Sequence, residues 1–266
     1  MLKFNNVSRL YDDGTLAVDK ISLSIDKGEF CVLLGPSGAG KSSLMNMVNG
    51  VIEPTSGSVY VGDIQLNRKN RSQLQRRVGM IHQQLHLVPR LSVIHNVLSG
   101  ILTHTSIIRS LFKSFPVKEQ RRACQLLSEV GLEEKHLYRR ASDLSGGQQQ
   151  RVAIARAFIA TPEIVLADEP VASLDPAMSR SVLNSLKTAA KQHGATVVCT
   201  LHQVEYAIEF ADRIVALRKG KVFFDGHPKD MDATIQKQLY RLTEDALSNP
   251  NPGISSSKVK QGQVAA

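Results

Sequence analysis

Gly35-Pro36-Ser37-Gly38-Ala39-Gly40-Lys41-Ser42 decides the fold of this 266-residue chain. The run fits G-x-x-x-x-G-K-[ST], a pattern set by what a phosphate chain needs from a backbone. Glycines let the main chain wrap close to the phosphates, where a Cβ would clash or forbid the dihedral angles. Successive N–H groups then point at the anion, and the following helix offers its positive N-terminal end. Lys41 reaches the β- and γ-phosphates, and the Ser42 hydroxyl is a ligand for Mg²⁺. Gly35, Pro36, Ser37, Gly38, Ala39, Gly40, Lys41, Ser42 and Ser43 are therefore the candidate phosphate-binding residues. An apolar run at 29–34 precedes the loop and a helix-like pattern at 41–49 follows it, the context this motif requires. On this motif alone the chain binds a nucleotide, and its chemistry stays open.

Outward from the loop, two further apolar runs at 163–167 and 196–201 alternate with helical periodicity. That periodicity falls at about 41–49, 92–99, 117–130, 146–160, 177–192 and 203–210. Such strands alternating with helices predict an α/β core, a parallel sheet covered on both faces. Residues 2–30 instead alternate apolar and polar positions, with turn signals at Asp12-Asp13-Gly14 and Asp26-Lys27-Gly28. They predict an antiparallel β-subdomain. From about 90 to 160 helical patterns dominate, so an α-helical subdomain is expected to be inserted in the core. Ser248-Asn249-Pro250-Asn251-Pro252-Gly253 breaks any helix, and the small, polar 248–266 is expected to form a disordered tail after a domain at 1–247.

Hydrophobic residues at 42% and charged residues at 21% exclude a disordered chain, a collagen-like repeat and a small disulfide scaffold. Lys and Arg number 33 against 24 acids, a net +9, which calls for an anionic partner: phosphate ligand, nucleic acid or membrane surface. The excess is local. Residues 68–77 hold five basic side chains and no acid, 109–122 hold five and one, and Lys258 and Lys260 add two more. No apolar run approaches the roughly 20 residues of a membrane span, and Met1-Leu2-Lys3-Phe4-Asn5-Asn6 lacks a secretory core. A cytosolic chain that docks on a membrane partner is expected. Cys31, Cys124 and Cys199 are widely spaced with no CxxC pair, which supports neither a disulfide framework nor a zinc site, and Cys31 and Cys199 sit in apolar strand-like runs that point to buried packing.

Ile164-Val165-Leu166-Ala167-Asp168-Glu169 is a strand ending in two acids. Ligands gather at the carboxyl ends of parallel strands, so Asp168 is placed to hold Mg²⁺, and Glu169 to polarise an attacking water. Leu144-Ser145-Gly146-Gly147-Gln148-Gln149-Gln150-Arg151 opens a helix with Ser145 as N-cap and bare glycine N–H groups, a second anion site. One nucleotide does not readily occupy two distant sites of one chain. A head-to-tail homodimer, each chain capping the phosphate held by the other, resolves this.

These motifs together resemble the ATP-binding subunits of ABC transporters, whose signature is LSGGQ. The resemblance covers about residues 1–245. It implies a P-loop NTPase (RecA-like) core with an N-terminal antiparallel β-subdomain and an inserted helical subdomain, binding ATP and Mg²⁺. Gln83, after the strand 78–82, matches the glutamine that touches Mg²⁺ and the membrane partner. Ser173-Leu174-Asp175 matches the D-loop at the dimer interface, and His202 the switch histidine that contacts the γ-phosphate. Tyr11 matches the aromatic residue that stacks on adenine, and Ser145, Gly147 and Gln148 lie in the signature. By the same resemblance Glu169, His202, Lys41 and Gln83 form the catalytic set, and Ser42, Gln83 and Asp168 the metal set. The family has an aromatic residue before the Q-loop glutamine, where this chain has His82. The implied partners are a second copy, integral membrane permease subunits and, indirectly, a periplasmic solute-binding protein, with no nucleic acid. The implied location is peripheral, at the cytoplasmic face of the inner membrane.

Thr105-Ser106-Ile107-Ile108-Arg109-Ser110-Leu111-Phe112-Lys113-Ser114-Phe115-Pro116 looks like a segment of phosphonate-import ATPases, as do residues 144–151, with their three glutamines, and residues 167–176. The expected function is thus an ATPase subunit powering phosphonate import, the alternative being import of another small solute. A soluble ABC ATPase acting on nucleic acid or ribosomes, and a small-molecule kinase, are the alternatives from other classes. The first lacks a second cassette or inserted coiled coil here. The second leaves 144–148 and His202 unexplained.

Overall fold

A computed structural model describes residues 1–104 and 115–248. The alternating start of the chain folds as expected. Strands β1 (Leu2–Leu10) and β2 (Leu16–Ile25) pair antiparallel around the turn at Asp12-Asp13-Gly14. After β3 (Phe30–Leu34), β4 (Ser56–Val61) joins the other edge of β1, and β5 (Ile64–Gln65) joins β4, so the first sheet has the order β2-β1-β4-β5.

The second sheet is the predicted parallel one. It comprises β6 (Val78–Ile81), β7 (Ile164–Asp168), β8 (Thr196–Thr200), β9 (Arg213–Arg218) and β10 (Lys221–Gly226) around β3, in the order β10-β9-β3-β8-β7-β6. All neighbours run parallel except β10, which returns antiparallel along β9. The connecting residues Lys219 and Gly220 both have positive φ, as a tight two-residue hairpin requires.

Every residue of β3 is buried, and its side chains serve two cores in alternation. Phe30, Val32 and Leu34 pack on the helical side, while Cys31 and Leu33 pack toward the antiparallel sheet. In β7, Val165 and Ala167 face the first core, and Ile164 and Leu166 the second. A strand buried on both faces has no polar alternation, so its sequence reads as one apolar run.

The helices are α1 (Lys41–Val48), α2 (Arg71–Gln75), α3 (Val93–Leu98), α4 (Val117–Glu129), α5 (Gly146–Phe158), α6 (Pro176–His193), α7 (Val204–Phe210) and α8 (Ala233–Ser248). Their ends follow local chemistry. Asp175 accepts the Met178 N–H at 2.9 Å to start α6, with Pro176 in its first turn, and Gly194 at φ 63° stops it. Between 90 and 160, α3, α4 and α5 share one core with the parallel sheet through Val97, Leu127 and Val152. β9, β10 and α8 lie beyond 210, where the sequence reading placed no element. Residues 105–114, which carry most of the segment like that of phosphonate-import ATPases, and the residues after 248, where a disordered tail is expected, lie outside the described residues. No helix among the described residues is long and apolar enough to cross a membrane.

Candidate functional site

The chain leaves β3 through Gly35 at φ 140° and enters α1 through Gly40 at φ 105°. A Cβ on Gly35 would lie 2.3 Å from the Leu217 carbonyl oxygen, and one on Gly40 would lie 2.4 Å from that of Ala17. Both glycines are therefore imposed by strained dihedrals and by backbone at close quarters. Lys41 is buried. Its Nζ donates to the carbonyls of Gly35 at 2.6 Å and Pro36 at 3.0 Å, so the lysine braces the loop it belongs to. Burial pushes its pKa down, and the facing carboxylates of Glu169 and Asp168 pull it part of the way back. Ser42 is exposed at the mouth of the loop.

Asp168 ends β7 beside the end of β8 and Glu169 follows it, and the two acids take different partners. Asp168 Oδ1 accepts the Thr200 hydroxyl at 2.8 Å. Glu169 has φ 47°, a left-handed backbone that a glutamate adopts at a cost. Its carboxylate is oriented to His202, with Oε1 2.6 Å from Nε2. His202 is about half exposed, whereas Glu169 is mostly covered. Asp168, the expected metal-binding acid, Glu169, the candidate base, and His202, the expected switch histidine, thus stand at or just beyond the carboxyl ends of neighbouring strands. The donors suited to a cation are oxygens: the Ser42 hydroxyl, the Gln83 amide and the Asp168 carboxylate. No group of three or more His, Cys, Asp or Glu that could hold a metal occurs among the described residues.

At the signature, Ser145 and Gln148 form a reciprocal cap on α5. Ser145 Oγ accepts the Gln148 N–H at 3.4 Å, and Gln148 Oε1 accepts the Ser145 N–H at 3.0 Å. The Gln148 side-chain nitrogen also lies 3.2 Å from His136 Nε2. A Cβ on Gly147 would sit 2.2 Å from Met178 Sδ, so this glycine also lets α6 approach α5. Asp175 of the D-loop motif is the N-cap of α6. Gln83 is exposed, two residues beyond β6, and the half-buried His82 precedes it.

Tyr11 follows β1 directly. Its hydroxyl is 3.1 Å from Ser43 Oγ, which ties the expected adenine platform to the first turn of α1. One ring face is covered by the Arg9 guanidinium, 4.7 Å from the centroid, and Arg9 is anchored on the Glu53 carbonyl at 3.0 Å.

Three contacts at the site escaped the sequence reading: Arg9 on Tyr11, Thr200 on the acids, and the Tyr240 hydroxyl, which donates to the His202 carbonyl at 3.4 Å. For Thr200 a signal existed, since a hydroxyl ending an apolar strand must find a buried partner. Tyr240 lies on α8, and its place against His202 exists only once the chain has folded back.

The ABC transporter family profile matches residues 18–172. Phosphonates import ATP-binding protein PhnC of Hydrogenovibrio crunogenus is 71% identical over 242 residues, covering 91% of this chain and 89% of that protein. Its counterpart from Hyphomonas neptunium is 45% identical over 237 residues, 89% of this chain and 91% of its own. Among solved structures, the ATP-binding cassette MJ0796, a dimer in a post-hydrolysis state bound to ADP and Pi, superposes with a TM-score of 0.73 at 34% identity. That match covers 86% of this chain and 99% of the other. CbiO1 of Clostridium perfringens, part of the ABC transporter complex cbiONQ, superposes at 0.78 with 28% identity, over 94% and 95% of the two chains.

Proposed function

The chain belongs to the ABC transporter family, and on that premise we propose that it is the ATP-hydrolysing subunit of a phosphonate importer. The 71% identity to PhnC across 91% of the chain carries the cargo. The convergence of Asp168, Glu169 and His202 beside the phosphate loop supports the chemistry.

Tyr11 stacks on adenine, and residues 35–43 cradle the phosphates with Lys41 at the β- and γ-oxygens. Glu169 orients and deprotonates the attacking water, and Lys41 and His202 stabilise the charge on the transferred phosphoryl group. Ser145, Gly147 and Gln148 of a second copy complete the γ-phosphate site, so hydrolysis requires a head-to-tail dimer. Ser42, Gln83 and Asp168 are the residues that would hold Mg²⁺. An all-oxygen set with one carboxylate fits that ion, which keeps substrate phosphates and water as its other ligands. When bound, it neutralises charge on the β- and γ-phosphate oxygens. Gln83 and the helices between 90 and 160 pass dimer closure to membrane permease subunits, which places the chain peripherally at the cytoplasmic face of the membrane.

Glu169→Gln tests this reading. The variant is expected to bind ATP with unchanged affinity and to accumulate as an ATP-bound dimer on gel filtration. Its turnover is expected to fall by about 10²–10⁴-fold, the range for loss of a general base. In its host, a strain carrying only this variant should fail to grow on a phosphonate as sole phosphorus source while growing on phosphate. Growth on both would sink the import assignment, and wild-type turnover would remove Glu169 from its role.

A further inference from the structure

Thr200 is fully buried at the carboxyl end of β8, a strand otherwise made of apolar side chains and a second threonine at its start. The sheet register pairs it with Asp168 on one side and Leu33 on the other, so it stands between the strand that carries the acids and the strand that feeds the phosphate loop. Its single hydroxyl does two things. It donates to Asp168 Oδ1 at 2.8 Å and accepts the Glu169 backbone N–H at 2.8 Å. The three groups form a chain, N–H to hydroxyl to carboxylate, in which each bond polarises the next.

The second bond falls where the backbone needs help. Glu169 has φ 47°, a left-handed conformation that is strained for a residue carrying a Cβ. That turn sends the Glu169 carboxylate to His202 and away from Asp168. Strain of this kind persists only where the surroundings over-determine it, and the Thr200 hydroxyl contacts the amide of the strained residue itself. The hydroxyl engages one lone pair of Oδ1, so the Asp168 carboxylate is held in one orientation while Oδ2 and the second lone pair of Oδ1 stay available to a cation.

We propose that Thr200 is a positioning residue for ATP hydrolysis: its hydroxyl fixes the rotamer of Asp168 and the left-handed turn of Glu169 together. It touches neither nucleotide nor water and acts through the two acids. The inference rests on the roles given above to Asp168 and Glu169.

Thr200→Ser and Thr200→Ala both lose the same methyl group and differ only in the hydroxyl. Their comparison therefore isolates the two hydrogen bonds from packing, and Thr200→Val adds a variant of native shape. Thr200→Ser is expected to keep kcat within about threefold of the wild type, whereas Thr200→Ala and Thr200→Val lose roughly ten- to a hundredfold, the scale of an ångström-level misplacement. ATP affinity, read by fluorescent-nucleotide titration, is expected to change less than about twofold in all three, since the phosphate loop is untouched. Independently of turnover, amide exchange in the peptide containing Glu169 is expected to be faster in Thr200→Ala and Thr200→Val but not in Thr200→Ser. The proposal is overturned if Thr200→Ala matches Thr200→Ser in kcat, or if its loss of activity equals its loss of folded protein with the Glu169 amide still protected. Glu169→Gln measured alongside separates the two readings. Normal turnover there sinks the role of Glu169, whereas an inactive Glu169→Gln beside an unimpaired Thr200→Ala sinks only the role of Thr200.

Discussion

His82 stands half-buried before Gln83, its ring in edge-on contact with His86 at 4.8 Å between centroids. Burial holds its pKa below the ordinary histidine value, the facing His86 and Arg156 add to the depression, and Asp168 opposes it. With the folded value lowered, the unfolded chain takes the proton first. The contribution to stability is whole above the ordinary value of about 6.5 and is lost as pH falls below it. His82→Phe restores the ring that the family has at this position and removes the proton site. Between about pH 7.5 and pH 5.5 its Tm is expected to fall less than that of the wild type. Equal slopes in a thermal scan would show that His82 carries none of the acid sensitivity. At this scale the fold brings together Lys41, Asp168, Glu169 and His202, residues that the sequence already singled out by the motifs in which they stand. The partners of Thr200 and Tyr240 were not legible there, because they lie more than thirty residues away along the chain, and Arg9, although two residues from Tyr11, is held over its ring by the distant Glu53 carbonyl.

Elements bounded by local chemistry were legible too. The runs at 29–34, 163–167 and 196–201 became β3, β7 and β8 with ends shifted by a residue. The pattern at 177–192 became α6, framed by Asp175, Pro176 and Gly194. The misses have physical reasons. Lys219-Gly220 makes the β9–β10 hairpin with a lysine at positive φ, outside the usual Asn-Gly signature. Helix α8 has a local start signal, since the Asp232 side chain accepts the Ile235 N–H at 2.8 Å. Nothing in a single sequence announces that a strand glycine is a packing requirement. Yet a Cβ on Gly79 of β6 would lie 2.6 Å from the Ala157 carbonyl of α5 and 3.2 Å from Pro162 Cγ. Gly79→Ala is expected to cost about 1–3 kcal/mol, the penalty for overpacking against backbone that has no rotamer to yield. Urea unfolding measures it, and an unchanged midpoint would mean that α5 can move off the sheet freely.

Over the whole molecule, the basic excess looks different once partners are in place. Of the five cations in 68–77, Arg68 pairs with Glu53 at 2.8 Å and Arg77 with Glu163 at 2.5 Å. Arg71 reaches the Gly50 carbonyl at 3.5 Å. A linear count sees no acid nearby, because Glu163 is 86 residues away from Arg77. The stretch is therefore less positive in the fold than in the sequence, and the expectation of an anionic partner rests on fewer unpaired charges there than the count implied. The proposed dimer makes a separate prediction. Lys41→Ala removes the phosphate lysine of one half-site, and Ser145→Arg blocks the signature of the other. Each variant alone is expected to be inactive. Mixed in equal amounts, they form heterodimers with one intact composite site, and the mixture should recover up to about a quarter of the wild-type rate if sites fire independently. No recovery, with heterodimers demonstrated by tagged pull-down, would argue that each chain builds its site alone or that both sites must be intact.

By itself the sequence determined the phosphate loop, the acids at the end of a strand, the signature and the order in which they occur. Each depends on chemistry carried by neighbouring residues: a glycine dihedral, a capping oxygen, an apolar run long enough to be a strand. Tertiary structure alone decided that a buried threonine joins Asp168 and Glu169, that His202 meets the Glu169 carboxylate, and that α8 returns to place Tyr240 against His202. Those outcomes depend on which strands become neighbours and in what register. Pairing of β7 with β8 brings Asp168 beside Thr200 across a separation of 32 residues, and no local preference encodes a contact between side chains that meet only after the sheet has formed.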